Sequence, residues 1–397
     1  MAIEFTQFHK LVKVSSLGNL LNEIMIDILL RLPVKSICRF KCASKPWKAL
    51  LSNLKFVELH FAWTIAGNRD YLLIRGELRR LCEALVEKGG ESSKEPKELF
   101  SLRSKETLKE FLKVKVPFES KTGYYTMVDL CNGLVCLMES DEEGMFPFLN
   151  AFLWNLANEE FRSLPWYYVN RFTNQVTVSS FGFMFHPEMK DYLVVRIVYL
   201  TDSKSYEVEV YWLSNDQWKV IDVDLNGFFQ EGLSQVSVNG ALHWVVTKGE
   251  KVTNQQYFVL SLDVKEEKYA ETPNGPNTSA ESLFLIICKL FKAYDTWFLM
   301  EYGKAESWVK LYSVQFKGEP MKTLHVLDEN RILMERSDNG GEVLLCDAKF
   351  QIIKDLGVFK PVCIVRHIES LSHPCGEMRT RGTSTGSPRG TRLFRNK

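Results

Sequence analysis

From Leu21 to Leu32 the chain places apolar residues at positions 21, 24, 25, 28, 29 and 32, the spacing of a helix that docks one stripe against a core. At about 100° per residue, Ile26 and Leu30 fall on the flank opposite most of that stripe, and only Asn22, Glu23, Asp27 and Arg31 are polar. Pro33 stops the helix, because it forces the preceding residue out of helical angles and has no amide proton to donate. A second helix is predicted through "VKSICRFKCAS". Ser44 is placed to cap a third, with Pro46 in its first turn and Trp47, Leu50 and Leu51 on one side. "SNLKFVELHF" adds a further capped apolar turn ending in Phe56, Leu59 and Phe61. A unit this small buries little of its own surface. Several of its apolar side chains have no destination inside it, so a protein partner is expected.

After Phe61 the texture changes. "LRRLCEALVEKGGESSKEPKE" reads as a short amphipathic helix running into a charged surface loop. Beyond it one unit recurs, an alternating strand, a polar turn and a second strand. It appears at 99–114, 152–165, 208–223, 257–272, 308–324 and 343–357. The spacing, roughly 35 to 60 residues, brackets the blade length of a β-propeller. "GLVCLME", "SFGFMFH", "DYLVVRIVYL" and "QVSVNGALHWVVT" supply further strands, the last with Asn239-Gly240 as a two-residue hairpin turn. The predicted fold is α+β and multidomain, a small helical module followed by a mainly antiparallel, propeller-like β domain. A pair of packed β-sandwiches is the alternative.

Composition narrows the function. A chain of 397 residues has room for a small module beside a larger domain, and its 12% aromatic residues suit cross-strand pairing. The net charge of +1 gives no field that would draw the protein to nucleic acid or to an anionic membrane. Glu4, His9, Lys10 and Lys13 interrupt the first residues, so no signal peptide is expected. "LFLIIC", the longest kind of apolar run, falls far short of the roughly 20 residues that cross a bilayer. Nine scattered cysteines point to reduced thiols and a cytoplasmic and/or nuclear protein. Residues 372–397, rich in Arg, Gly, Ser and Thr, are expected to form a disordered basic tail without a specific nucleic-acid role.

The helical segment "LLNEIMIDILLRLPVKSICRFKCASKPWKALLSNLKFVELHF" resembles the F-box of plant F-box proteins, through its Ile-Leu-x-Arg-Leu-Pro-Val-Lys-Ser core and its Cys-x-Ser-Lys-x-Trp helix. It departs at Leu21, where the family opens with proline, and at Ala43, where valine is common. The resemblance implies a trihelical module that binds the Skp-type adaptor of a cullin-based SCF ubiquitin ligase. Its adaptor-facing residues would be Leu20, Leu21, Ile24, Ile28, Leu32, Pro33, Val34, Ile37 and Trp47.

"CNGLVCL", "LWNLANEEFRSLP", "FGFMFHPEMKDYLVVRI", "VEVYWLSNDQWKVI", "VSVNGALHWVV", "FVLSLDVKEEKY", "MEYGKAESWVKLYSV" and "HIESL" follow one another as in the plant F-box-associated domain, the family of the S-locus F-box relatives. Leu156 replaces a common proline, and "LFLIICKLFKAYDTW" lacks the glycine-rich turn of that family. The expected layout is a flexible start at 1–19, the F-box at 20–62, a connector at 63–98, the β domain at 99–371 and the tail. Such a protein would be the substrate-recognition subunit of an SCF ligase, linked through the adaptor to cullin and RING subunits and holding a target protein. The alternatives are a non-proteolytic F-box binding scaffold and an F-box relic without ligase function.

No residue constellation announces chemistry of its own. HExxH and P-loop patterns are absent from the sequence. Cys38 and Cys42 sit one helical turn apart but inside the F-box resemblance, and Cys131 and Cys136 have no histidine near in sequence. His186 and His243 read as turn or packing residues, and Asp141-Glu142-Glu143 as a solvated turn. No metal, cofactor or catalytic residue is expected, and ubiquitin transfer would belong to the recruited partners.

Overall fold

The computed structural model describes residues 19–67, 70–78, 99–118, 124–140, 150–165, 176–201, 203–221, 228–229, 235–238, 240–248, 256–273, 284–289, 293–299, 308–315, 321–328, 330–336, 341–347 and 351–374. The expected amphipathic helix after residue 78, the acidic turn 141–143 and the tail beyond residue 374 lie outside the described residues, whereas residues 372–374 of the expected tail are described and Ser372 is buried.

Four helices come first: α1 (Asn19–Leu30), α2 (Val34–Lys41), α3 (Lys45–Leu51) and α4 (Leu54–Ala66). Four helices stand where three and a further apolar turn were expected. The segment expected to give one apolar turn is a 13-residue helix that runs past residue 62. Asn53 starts it, its Oδ1 accepting from Lys55 N at 2.9 Å.

Among the described residues the strands form six antiparallel sheets that succeed one another along the chain as the blades of a propeller. Blade 1 contains β1 (Asp70–Leu78), β2 (Leu99–Ser104) and β3 (Glu110–Val114). Blade 2 contains β4 (Tyr124–Cys131), β5 (Leu134–Ser140), β6 (Ala151–Asn155) and β7 (Phe161–Ser163). Blade 3 contains β8 (Val176–His186), β9 (Asp191–Leu200), β10 (Ser205–Trp212) and β11 (Gln217–Ile221). Blade 4 contains β12 (Phe228–Phe229), β13 (Val236–Val238), β14 (Ala241–Lys248), β15 (Gln256–Asp263) and β16 (Lys268–Pro273). Blade 5 contains β17 (Phe284–Lys289), β18 (Ala293–Leu299) and β19 (Trp308–Gln315), and blade 6 contains β20 (Met321–Asp328), β21 (Arg331–Arg336), β22 (Glu342–Asp347) and β23 (Ile352–Asp355). The last strand, β24 (Val358–Ile368), returns to blade 1 and pairs with β1 from Asp70↔Ile368 to Leu78↔Val358. The ends of the propeller thus close the ring by hydrogen bonds between its first and last strands, which removes two free edges. β1 lies within the stretch expected to be a connector. It is a full blade strand.

Five of the six predicted hairpins are paired as expected. The sixth, 308–324, is not a hairpin: β19 pairs with β18 in blade 5, and β20 pairs with β21 in blade 6. Period-2 alternation marks a strand without naming its neighbour. The recurring polar turn has a common backbone cause. Leu108, Glu159, Asp216 and Glu267 each hold positive φ, between 53° and 62°, at the turn before the outermost strand of blades 1 to 4.

Many strands are apolar on both faces because a blade is packed between two others. In β1, Leu72 and Ile74 join Leu333, Val343 and Leu345 of blade 6, while Leu73 between them joins Val135, Leu137 and Trp154 of blade 2. In β5, Leu134 and Cys136 turn the other way, onto Phe183, Val194 and Tyr211 of blade 3. Gln235, just before β13 of blade 4, donates from Nε2 to Asp129 Oδ2 of blade 2 and to the Phe183 carbonyl of blade 3, tying three blades together.

Candidate functional site

The helical module is built around the junction of α1 and α2. Leu32 N donates to the Leu29 carbonyl at 3.1 Å as α1 ends, and the Pro33 carbonyl accepts from Ser36 N at 2.9 Å and Ile37 N at 3.2 Å as α2 begins. Ser44 caps α3 as expected, its Oγ accepting from Trp47 N at 3.4 Å. Ile26, Leu29, Leu30, Val34, Ile37, Leu51 and Phe56 are the buried core of the module. The stripe expected to dock inward is only partly used: Leu29 is buried and Met25 and Leu32 pack against the core, but Ile24 and Ile28 do not. Ile26 and Leu30, the supposed surplus, face inward, whereas Ile24 and Ile28 are 52% and 54% exposed. Positions 26, 29 and 30 also satisfy helical spacing, and the packing of α2 and α4 beneath them selects that stripe. Asp27 and Arg31 pair at 2.9 Å one turn apart on the outer surface, and the Arg31 guanidinium lies 5.1 Å from the centre of the Trp63 ring.

Of the expected adaptor-facing residues, Ile24, Ile28 and Pro33 are exposed, and Leu32 and Trp47 are half-buried. The Leu32 carbonyl accepts from His60 Nε2 at 2.9 Å. Leu20 and Leu21 lie in the first turn of α1. Val34 and Ile37 do not face outward: each is wholly buried, because α2 turns its 34/37 side onto α1 and α3. An exposed side chain absent from the expectation is Phe40, 41% exposed with its ring 5.7 Å from that of Trp47. The signal was available. Val34, Ile37, Cys38 and Lys41 share one face of α2, and Phe40 falls outside it.

The module sits directly on the propeller. Lys35 Nζ meets Glu159 Oε1 of blade 2 at 2.9 Å, and Lys190 Nζ of blade 3 meets Glu58 Oε1 of α4 at 3.1 Å. Ala157 and Leu371 of the β domain complete the helical core.

The other polar groups singled out from the sequence serve the scaffold. His186 Nδ1 accepts from Met189 N at 3.2 Å across a turn. His243 bridges the Val236 carbonyl and Ser261 Oγ, and burial pushes its pKa down to about 4. Burial pushes the Cys131 thiol up to about 12, and the Cys38 thiol is also raised by burial. Among the described residues no group of three or more His, Cys, Asp or Glu side chains is arranged to hold a metal ion, and no helix is long and apolar enough to cross a membrane.

A ring of sheets that carries, on one side, a helical module with an exposed apolar face has the form of a two-ended binding protein. Comparison with known families agrees. Residues 17–59 match the F-box domain and residues 98–289 match the F-box associated beta propeller domain. The chain belongs to the F-box proteins that carry an F-box-associated domain. It is similar to the F-box/kelch-repeat protein At3g23880 of Arabidopsis thaliana, 25% identical over 80% of this chain and 85% of that one. It is also similar to the F-box protein At3g07870, 26% identical over 83% and 81%, and to the F-box protein CPR1, 24% identical over 79% and 78%, both of the same plant. F-box proteins with such a propeller are in general substrate receptors of SCF ubiquitin ligases and are not themselves catalytic.

Proposed function

We propose that this chain is the substrate-recognition subunit of a cullin-based SCF ubiquitin ligase. The observation that carries the reading is the outer face of α1, where Ile24 and Ile28 stand in solvent while the opposite face closes the module's own core. Apolar side chains one helical turn apart, left uncovered on a surface helix, fit burial against a partner. Leu20, Leu21, Leu32, Pro33, Phe40 and Trp47 extend this adaptor-binding surface. Val34 and Ile37 act beneath it as support.

The propeller holds the target protein, and the adaptor recruits the cullin and RING subunits that deliver ubiquitin. The chain's contribution to the chemistry is proximity, which raises the effective concentration of a target lysine at the loaded enzyme.

Capture of a Skp-type adaptor by the full chain, followed by ubiquitin transfer in a reconstituted ligase, tests this. Capture with transfer to a bound protein is the expected result. Capture without transfer would assign the chain to a non-proteolytic scaffold, and no capture would remove the adaptor reading.

A further inference from the structure

We infer that the short segment after the last strand, residues 369–373, is a staple that fixes the F-box against the propeller, with Leu371 and Asn155 as its positioning residues. The consequence for the ligase rests on the proposed function: the staple sets where the adaptor-facing side of α1 points relative to a target held by the blades.

The F-box and β1 are joined by the three residues between Ala66 and Asp70. The segment beyond β24 makes a second connection between the two units. The Leu371 side chain is buried in the same cluster as Ile26, Val34 and Phe56, so the core of the N-terminal module is completed from the opposite end of the domain. On the propeller side the same segment is held by Asn155 at the end of β6. Its Nδ2 donates to the Ser370 carbonyl at 2.9 Å and to the Ser372 carbonyl at 2.7 Å, and its Oδ1 accepts from Ala157 N at 2.9 Å. Tyr192 OH donates to Ser372 Oγ at 3.0 Å, and His373 Nε2 lies 3.2 Å from Glu160 Oε2. Gly133 lets the strap approach blade 2, since a Cβ there would come within 2.5 Å of the Ser370 Cβ.

The remaining contacts across the boundary include Lys35 with Glu159 and Glu58 with Lys190, and all four side chains are largely exposed. Exposed pairs contribute little on their own. Leu371 and Ala157, both held in place by the buried Asn155, are therefore the parts able to hold an orientation.

Zero-length carbodiimide cross-linking of the full chain tests the staple without a ligand or a known target. The interdomain links Lys35 to Glu159 and Lys190 to Glu58 are quantified by mass spectrometry against the link from Lys265 to Glu188, which stand 2.6 Å apart within the propeller. Leu371→Ala and Asn155→Ala are each expected to lower the interdomain links several-fold relative to the control, and Leu371→Met to retain them. Asn155 is not part of the F-box core, so its effect separates loss of orientation from loss of module stability. Unchanged ratios in both alanine variants would overturn the inference. So would a parallel loss of the control link, which would make these residues general supports of the fold. If the wild-type chain captures no adaptor, the proposed function fails while the cross-link ratios still decide the staple.

Discussion

Ile26 and Ile28 stand two residues apart on α1 and face opposite ways, Ile26 wholly buried in the helical core and Ile28 54% exposed. One helix thus divides its apolar residues between folding and recognition. The core side is fixed by α2 and α4 packing beneath it. The outer side is left with isoleucines one turn apart and the Asp27–Arg31 pair.

That division separates stability from binding by mutation. Ile26→Ala should cost about 2–5 kcal/mol through lost burial and the cavity it leaves. Ile28→Ala should change stability by no more than about 0.5 kcal/mol. Urea unfolding followed by helix signal in the two variants checks the difference, and equal losses would contradict the placement.

Arg196 and Glu209 face each other across β9 and β10, with side chains 1% and 0% exposed, and the guanidinium also lies 5.0 Å from the centre of the Trp218 ring. Arg196→Met leaves a carboxylate in the core without its cation, a change that costs about 3–5 kcal/mol. Burial pushes Glu209 up and Arg196 pulls it back down, so without Arg196 the folded chain must bind a proton that the unfolded chain lacks at pH 7, and the deficit should shrink as the pH falls to 5.5. Replacing both residues with apolar ones should recover most of the loss. Denaturant titrations of the single and double variants at two pH values measure each part.

His367 on β24 is buried, and desolvation pushes its pKa down to about 4. The unfolded chain protonates it near 6.5, so the contribution of this group is intact above that pH and is lost as pH falls from 6.5 toward 4. His367→Gln should therefore remove about 2 kcal/mol of the stability difference between pH 7 and pH 5. Identical pH slopes for wild type and variant would show that His367 does not stay neutral in the fold.

Much of the architecture was legible because each blade repeats a local event, an alternating strand, a polar turn and a second strand. The segments 99–114 and 343–357 could be read as paired without knowing what lay beside them. What escaped was nonlocal. β19 and β20 carry the same alternation as any hairpin, and only packing places them in separate blades. β1 lay in a stretch expected to be a connector because one of its partners, β24, is nearly three hundred residues away in sequence and the other, β2, follows only after a charged insertion. On α1 two apolar stripes competed, and the periodicity favoured the one that includes Ile24 and Ile28. The core was formed instead on Ile26, with help from Leu371, a residue no helical-wheel argument can reach.

The affinity of the full chain for a Skp-type adaptor, before and after Ile28→Glu, tests the central claim most directly. If the outer face of α1 is the docking surface, a carboxylate there is buried unpaired in the complex at a cost of several kcal/mol, and affinity should fall on the order of a thousandfold. The melting temperature of the free protein should not move, since the side chain is exposed in the free protein. Wild-type affinity in the Ile28→Glu variant would contradict the account.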